Sequence, residues 1–86
     1  MVVVSAKRGQ VQNFDVGNDF EKLRSLVSEL VRENNNHATC WGWRLEGDTA
    51  EVIASTNRDD VSIKVVGVTE DIARLMKENH DFINAE

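Results

Sequence analysis

Thr39-Cys40-Trp41-Gly42-Trp43-Arg44-Leu45-Glu46-Gly47-Asp48-Thr49-Ala50-Glu51-Val52-Ile53-Ala54-Ser55 is the stretch that decides the fold. Thr39 to Leu45 alternates, with Thr39, Trp41, Trp43 and Leu45 on one side and Cys40, Gly42 and Arg44 on the other. Gly47-Asp48 is a favourable two-residue hairpin turn. With that turn the register is fixed: Leu45 meets Ala50, Trp43 meets Val52 and Trp41 meets Ala54. The opposite face then pairs Arg44 with Glu51, Gly42 with Ile53 and Cys40 with Ser55. Large residues meet small ones on one face and an ion pair forms on the other, so one register explains both faces.

Working outward, a four-residue loop at Asn57-Arg58-Asp59-Asp60 leads into a third strand, Val61 to Val68. Its expected register sets Val61, Ile63 and Val65 beside Thr56, Ala54 and Val52, on the tryptophan side. Ser62 and Lys64 then fall on the other side. Three strands agree on which face is core, a consistency that chance rarely produces.

Helical patterns flank this meander. Asn18 to Glu33 carries Phe20, Leu23, Leu26, Val27, Leu30 and Val31 in one stripe, with Asn18 as cap and Glu21 completing a capping box. Asn34-Asn35-Asn36 ends it. Thr69 caps a second helix with Glu70 and Asp71 in its first turn, where the helix dipole favours acid. Ile72, Leu75 and Met76 form its apolar face, Asn79 marks its end, and Phe82 and Ile83 are expected to fold back onto the core. Before the first helix, Val2 to Ala6 reads as a strand ending in Lys7-Arg8-Gly9-Gln10, a turn. Val11 to Val16 is the weakest pattern in the chain, a second strand only if its poor alternation is overlooked.

The expected order is β(β)αβββα over residues 1–86, a single α+β domain. Only one face of the sheet is strongly apolar, so both helices should share it in a two-layer sandwich on a three- to five-stranded antiparallel sheet. For 9.7 kDa, area scaling expects roughly 5,100 Å² of exposed surface, enough burial to fold with little margin.

Composition limits the function. Fifteen acidic against ten basic residues give a net charge of −5, and the cations are scattered, with Lys7-Arg8 the only adjacent pair. That distribution argues against nucleic acid as a partner. One cysteine allows no intrachain disulfide, which favours a reducing, cytoplasmic setting. Met1-Val2-Val3-Val4-Ser5 is too short to be a signal peptide, and no apolar run reaches membrane-spanning length.

Each chemistry-bearing residue has a plain reading beside the functional one. Trp41 and Trp43 could stack bases, but stacking platforms are ringed by cations, and this face is ringed by valine and isoleucine. His37, Cys40, His80 and Asp81 are metal-capable, yet they lack the repeated short spacing of a zinc site. Cys40 with a histidine could be a nucleophile and base, but it lies within a strand and has no oxyanion nest around it. Lys7-Arg8-Gly9-Gln10 lacks phosphate-loop spacing. The order helix, three strands, helix resembles that of double-stranded RNA-binding domains, which grip phosphate with lysines at the start of the last helix. Thr69, Glu70 and Asp71 stand there in this chain, which reverses the chemistry.

No catalytic, cofactor or metal site is therefore expected. The leading expectation is a non-enzymatic protein-binding module (an inhibitor, adaptor or small regulatory subunit) that occupies a partner's surface through its sheet edge and outer face. The partner would be another protein or a second copy. Ile53 and Val66 are the expected anchors, flanked by Arg44 and Lys64, with Val3 and its neighbours Val2 and Val4 as an added or exchanged strand. A small-molecule-binding or enzyme-subunit domain with a pocket near the tryptophans is the alternative, and a nucleic-acid-binding domain using Lys7, Arg8, Arg44, Arg58 and Lys64 the weaker one.

Overall fold

The computed structural model describes residues 1–34, 41–54 and 60–78. Its elements are β1 (Val2–Lys7), β2 (Gln10–Asp15), α1 (Phe20–Asn34), β3 (Trp41–Glu46), β4 (Thr49–Ala54), β5 (Val61–Val66) and α2 (Glu70–Glu78). The five strands form one antiparallel sheet in the order β2-β1-β5-β4-β3. The fold class is α+β, and the accessible surface is 5322 Å², close to the scaling expectation.

The β3–β4 hairpin has the expected register over all six of its described pairs, including Trp43 with Val52 and Arg44 with Glu51. Gly47, at φ 62°, takes the first turn position, where a side chain would be strained. The expected Cys40–Ser55 pair lies outside the described residues. The β4–β5 register departs from expectation. Val65 pairs with Ala50 rather than Val52, an offset of two residues. Side-chain direction repeats every two residues, so a slip of two leaves every residue on its expected face, and the hydrophobic pattern could not distinguish the two registers.

β2 is a full strand whose six pairs with β1 run from Val2↔Asp15 to Lys7↔Gln10. The turn between them is Arg8-Gly9, and both residues have positive φ, 52° and 83°. This matches the twist of a tight hairpin but strains an arginine. Arg8 is held there by Asp60: its amide donates to the Asp60 carbonyl at 2.9 Å and its Nε to the carboxylate at 3.1 Å. The same contact ties the first hairpin to the start of β5.

β1 pairs with β5 as well, Val2↔Val66 through Lys7↔Val61, so the amino-terminal strand lies inside the sheet. Beyond Val66 the chain turns at Gly67, φ 77°, so β5 stops two residues short of the expected Val68, which goes into the core at 8% exposure.

Both helices begin at side-chain caps. Thr69 caps α2 as expected, its hydroxyl accepting from the Ile72 amide at 3.3 Å. The α1 cap is Asp19, not Asn18, with Asp19 Oδ1 accepting from the Lys22 amide at 3.1 Å. Asn18 Oδ1 instead accepts from the Thr69 hydroxyl at 3.2 Å, linking the starts of the two helices. Asn79, Phe82 and Ile83 lie outside the described residues. One buried cluster joins Phe20, Leu23, Val27, Leu30 and Val31 of α1, Ile72 and Met76 of α2, and Val3, Ala50, Val52, Ile63 and Val65 of the sheet.

Candidate functional site

The register divides the sheet into two faces of different chemistry. Burial alternates along β5, with Ile63 and Val65 buried and Ser62, Lys64 and Val66 exposed. The same parity across the ladders puts Val2, Val4 and Ala6 of β1 on the outer side, away from the buried cluster.

That outer face is laid out in cross-strand rows. One row runs Asp15, Val2, Val66, Thr49, Glu46 and the next runs Asn13, Val4, Lys64, Glu51, Arg44. A third sets Val11 beside Ala6 and Ser62. The face therefore gathers its apolar residues, Val2, Val4, Ala6, Val66 and Val11, on β2, β1 and β5, beside a charged side formed by the Lys64–Glu51–Arg44 row that runs from β5 to β3. Val2, Val4 and Ala6 are half-buried by their neighbours, Val66 is 38% exposed and Val11 59%. On the charged side Lys64, Glu51 and Arg44 alternate in sign, and Arg44 Nη1 lies 3.4 Å from Glu51 Oε1. Both members of that pair are substantially exposed, so it contributes little to stability.

The five expected binding residues are only partly brought together. Arg44, Lys64, Ile53 and Val66 share the outer face, but Val66 and Ile53 fall on opposite sides of the Lys64–Glu51–Arg44 row. They do not form one anchor. Val3 is on the other face, fully buried between Phe14 and Val65, and has no outer surface to offer. Nor is Val2 to Val4 a free strand, because both of its edges are paired within the chain. The apolar neighbours that sequence reasoning missed are Ala6 and Val11. Their signal was the apolar run on both faces of β1, which has one meaning for an added strand and another for an interior one.

Trp41 and Trp43 lie half-buried on the edge strand β3, packed edge-to-face at 4.8 Å, with Phe20 6.2 Å from Trp43. Trp43 Nε1 is buried with no hydrogen-bond partner among the described residues. Two recesses of about 360 Å³ lie elsewhere. One, between α1 and β2, is lined by Phe14, Val16, Leu26 and Ser25, with Asp15, Lys22 and Glu29 also on its wall. The other adjoins Arg8, Gly9 and Asp60 at the first turn.

His37, Cys40, Arg58, His80 and Asp81 lie outside the described residues. Among the described ones, no three metal-capable side chains come together, and no helix is long and apolar enough to cross a membrane. No protein-family model matches this chain, and neither a curated protein nor a solved structure does.

Proposed function

We propose that the protein is a non-enzymatic binding module that occupies a partner protein's surface through the outer face of its sheet. The observation that carries this reading is β1, an interior strand with apolar side chains on both faces. Strands that read this way are normally covered on both sides. Here Val3 is covered by the core, while Val2, Val4 and Ala6, beside Val66 and Val11, lie on the side away from it. In this reading both helices share the tryptophan side, which the single buried cluster uniting α1, α2 and that face supports.

The apolar side of the face supplies contact area, and the alternating Lys64, Glu51 and Arg44 row sets orientation, because charge pattern selects partners more than it adds affinity. Ile53 is then a peripheral contact and Val66 a central one. An inhibitor, adaptor or small regulatory subunit working in a reducing compartment fits this chemistry.

The test uses Val4→Asp and Val66→Asp, each measured twice: urea unfolding of the free protein, and calorimetric affinity for the protein that co-purifies with it. A buried charge in the interface should weaken binding by more than about 2 kcal/mol, roughly thirty-fold, with a much smaller change in stability. Affinity unchanged in both variants would remove the outer face from the function.

A further inference from the structure

We infer that β2 is a homotypic docking edge: two copies of this chain pair antiparallel through β2, about a two-fold axis at Asn13, into a continuous ten-stranded sheet. This does not depend on the outer-face reading above, since it uses backbone groups at the sheet's margin.

The hydrogen-bonding pattern of the hairpin sets which groups are free. Val16 donates its amide to the Met1 carbonyl at 3.1 Å, so bonded pairs recur at alternate positions down the ladder, at Val3↔Phe14, Ser5↔Gln12 and Lys7↔Gln10. The N–H and C=O groups of Val11, Asn13 and Asp15 therefore point away from β1. β2 is the last strand in the sheet, and among the described residues nothing pairs with that side.

Edge strands are normally protected by lysine, proline, a bulge or shortness. β2 has none of these: it is six residues long, its ladder with β1 is unbroken, and its sole charge is Asp15 at one end. The other margin, β3, carries Arg44 and Glu46 along its length.

The β2 edge is also complementary to itself. With Asn13 opposite the second copy's Asn13, Val11 falls opposite Asp15 and Asp15 opposite Val11. All three outward residues are satisfied, in about six hydrogen bonds, and no like charges meet. On the helix side the second copy's Gln12 falls opposite Phe14, where the recess of about 360 Å³ between α1 and β2 leaves room for it. Because the axis is perpendicular to the sheet, the two outer faces lie side by side on one surface.

Sedimentation of the full chain from micromolar to submillimolar concentration should show a particle of twice 9.7 kDa at the upper end. Asn13 is exposed, so Asn13→Lys and Asn13→Asp should fold normally, which thermal unfolding checks. Each puts like charges across the axis and should weaken the dimer at least ten-fold, while an equimolar mixture of the two should recover it as a heterodimer. A wild-type chain that stays monomeric throughout overturns the proposal. So does a dimer that both variants leave intact, or a loss that the mixture does not restore. Val66→Asp, two strands in from the edge, should not alter this dimer, so failure here is separable from failure of the outer-face reading.

Discussion

Adjacent residues of β1 provide the sharpest test of the two-faced sheet. Val3 has 0% exposure and lies between Phe14 and Val65, whereas Val4 lies between Asn13 and Lys64 on the outer side. Val3→Ala removes two buried carbon groups, about 1.6 kcal/mol of transfer free energy, and leaves a cavity that raises the cost to about 2–3 kcal/mol. The whole domain is expected to be stable by only about 4–13 kcal/mol. The melting temperature should therefore fall by about 10–20 °C. Val4→Ala makes the same chemical change with the same loss of strand propensity, but in a half-buried setting, and should cost less than about 1 kcal/mol. The difference between the variants isolates burial from propensity. The chain contains no tyrosine, so urea unfolding can be followed through Trp41 and Trp43 alone, at concentrations low enough to keep the protein monomeric. Equal losses for the two variants would refute the argument, because they would mean that the outer face of β1 is packed within the chain.

Other expectations follow from individual contacts. Trp43→Ala should cost about 2–4 kcal/mol, below the full cost of a completely buried tryptophan, while Arg44→Ala should cost under about 1 kcal/mol, both read by urea midpoint. Arg8→Asn should raise the melting temperature slightly, since asparagine tolerates the left-handed conformation at 52° and the lost ion pair with Asp60 is exposed; a fall of several degrees would show that Asp60 contributes more than relief of strain returns. Thr69→Ala removes the α2 cap and the bond to Asn18 and should cost about 1 kcal/mol, measured the same way. With a net charge of −5 and its cations scattered along the sequence, binding to random DNA or RNA should be weaker than about 10⁻⁵ M at physiological salt, and a salt-sensitive gel shift at low micromolar protein would contradict this.

What the sequence disclosed depended on how local the determining interaction was. The β3–β4 hairpin was legible because its turn and the size-matched pairs such as Trp43 with Val52 are set by a few adjacent residues. The α2 cap was legible for the same reason. The α1 cap was displaced by one residue because Asn18 and Asp19 are both competent caps, and the choice was settled by a tertiary partner, Thr69, far away in sequence. β2 gave a poor pattern because it is an edge strand with Gln10 and Gln12 exposed even on the core side, so neither face demanded apolar residues. The composition of the outer face was half legible. Lys64, Arg44, Ile53 and Val66 were assigned to the correct side by parity alone. Val3 was expected in an added or exchanged strand, and only the place of β1 between β2 and β5 shows that both of its edges are paired within the chain.

The interior position of β1 also has consequences in time. Its first residue to pair, Val2, meets Val66, so the sheet cannot close until most of the chain has been synthesised. Contacts this distant in sequence slow folding, because loop-closure entropy must be overcome before they form. Until then the first hairpin waits with the β5-facing edge of Val2-Val3-Val4 open, a short apolar segment of the kind that templates intermolecular sheet. Variants that slow the arrival of β5, rather than those that weaken the finished core, should therefore reduce soluble yield most in the cell.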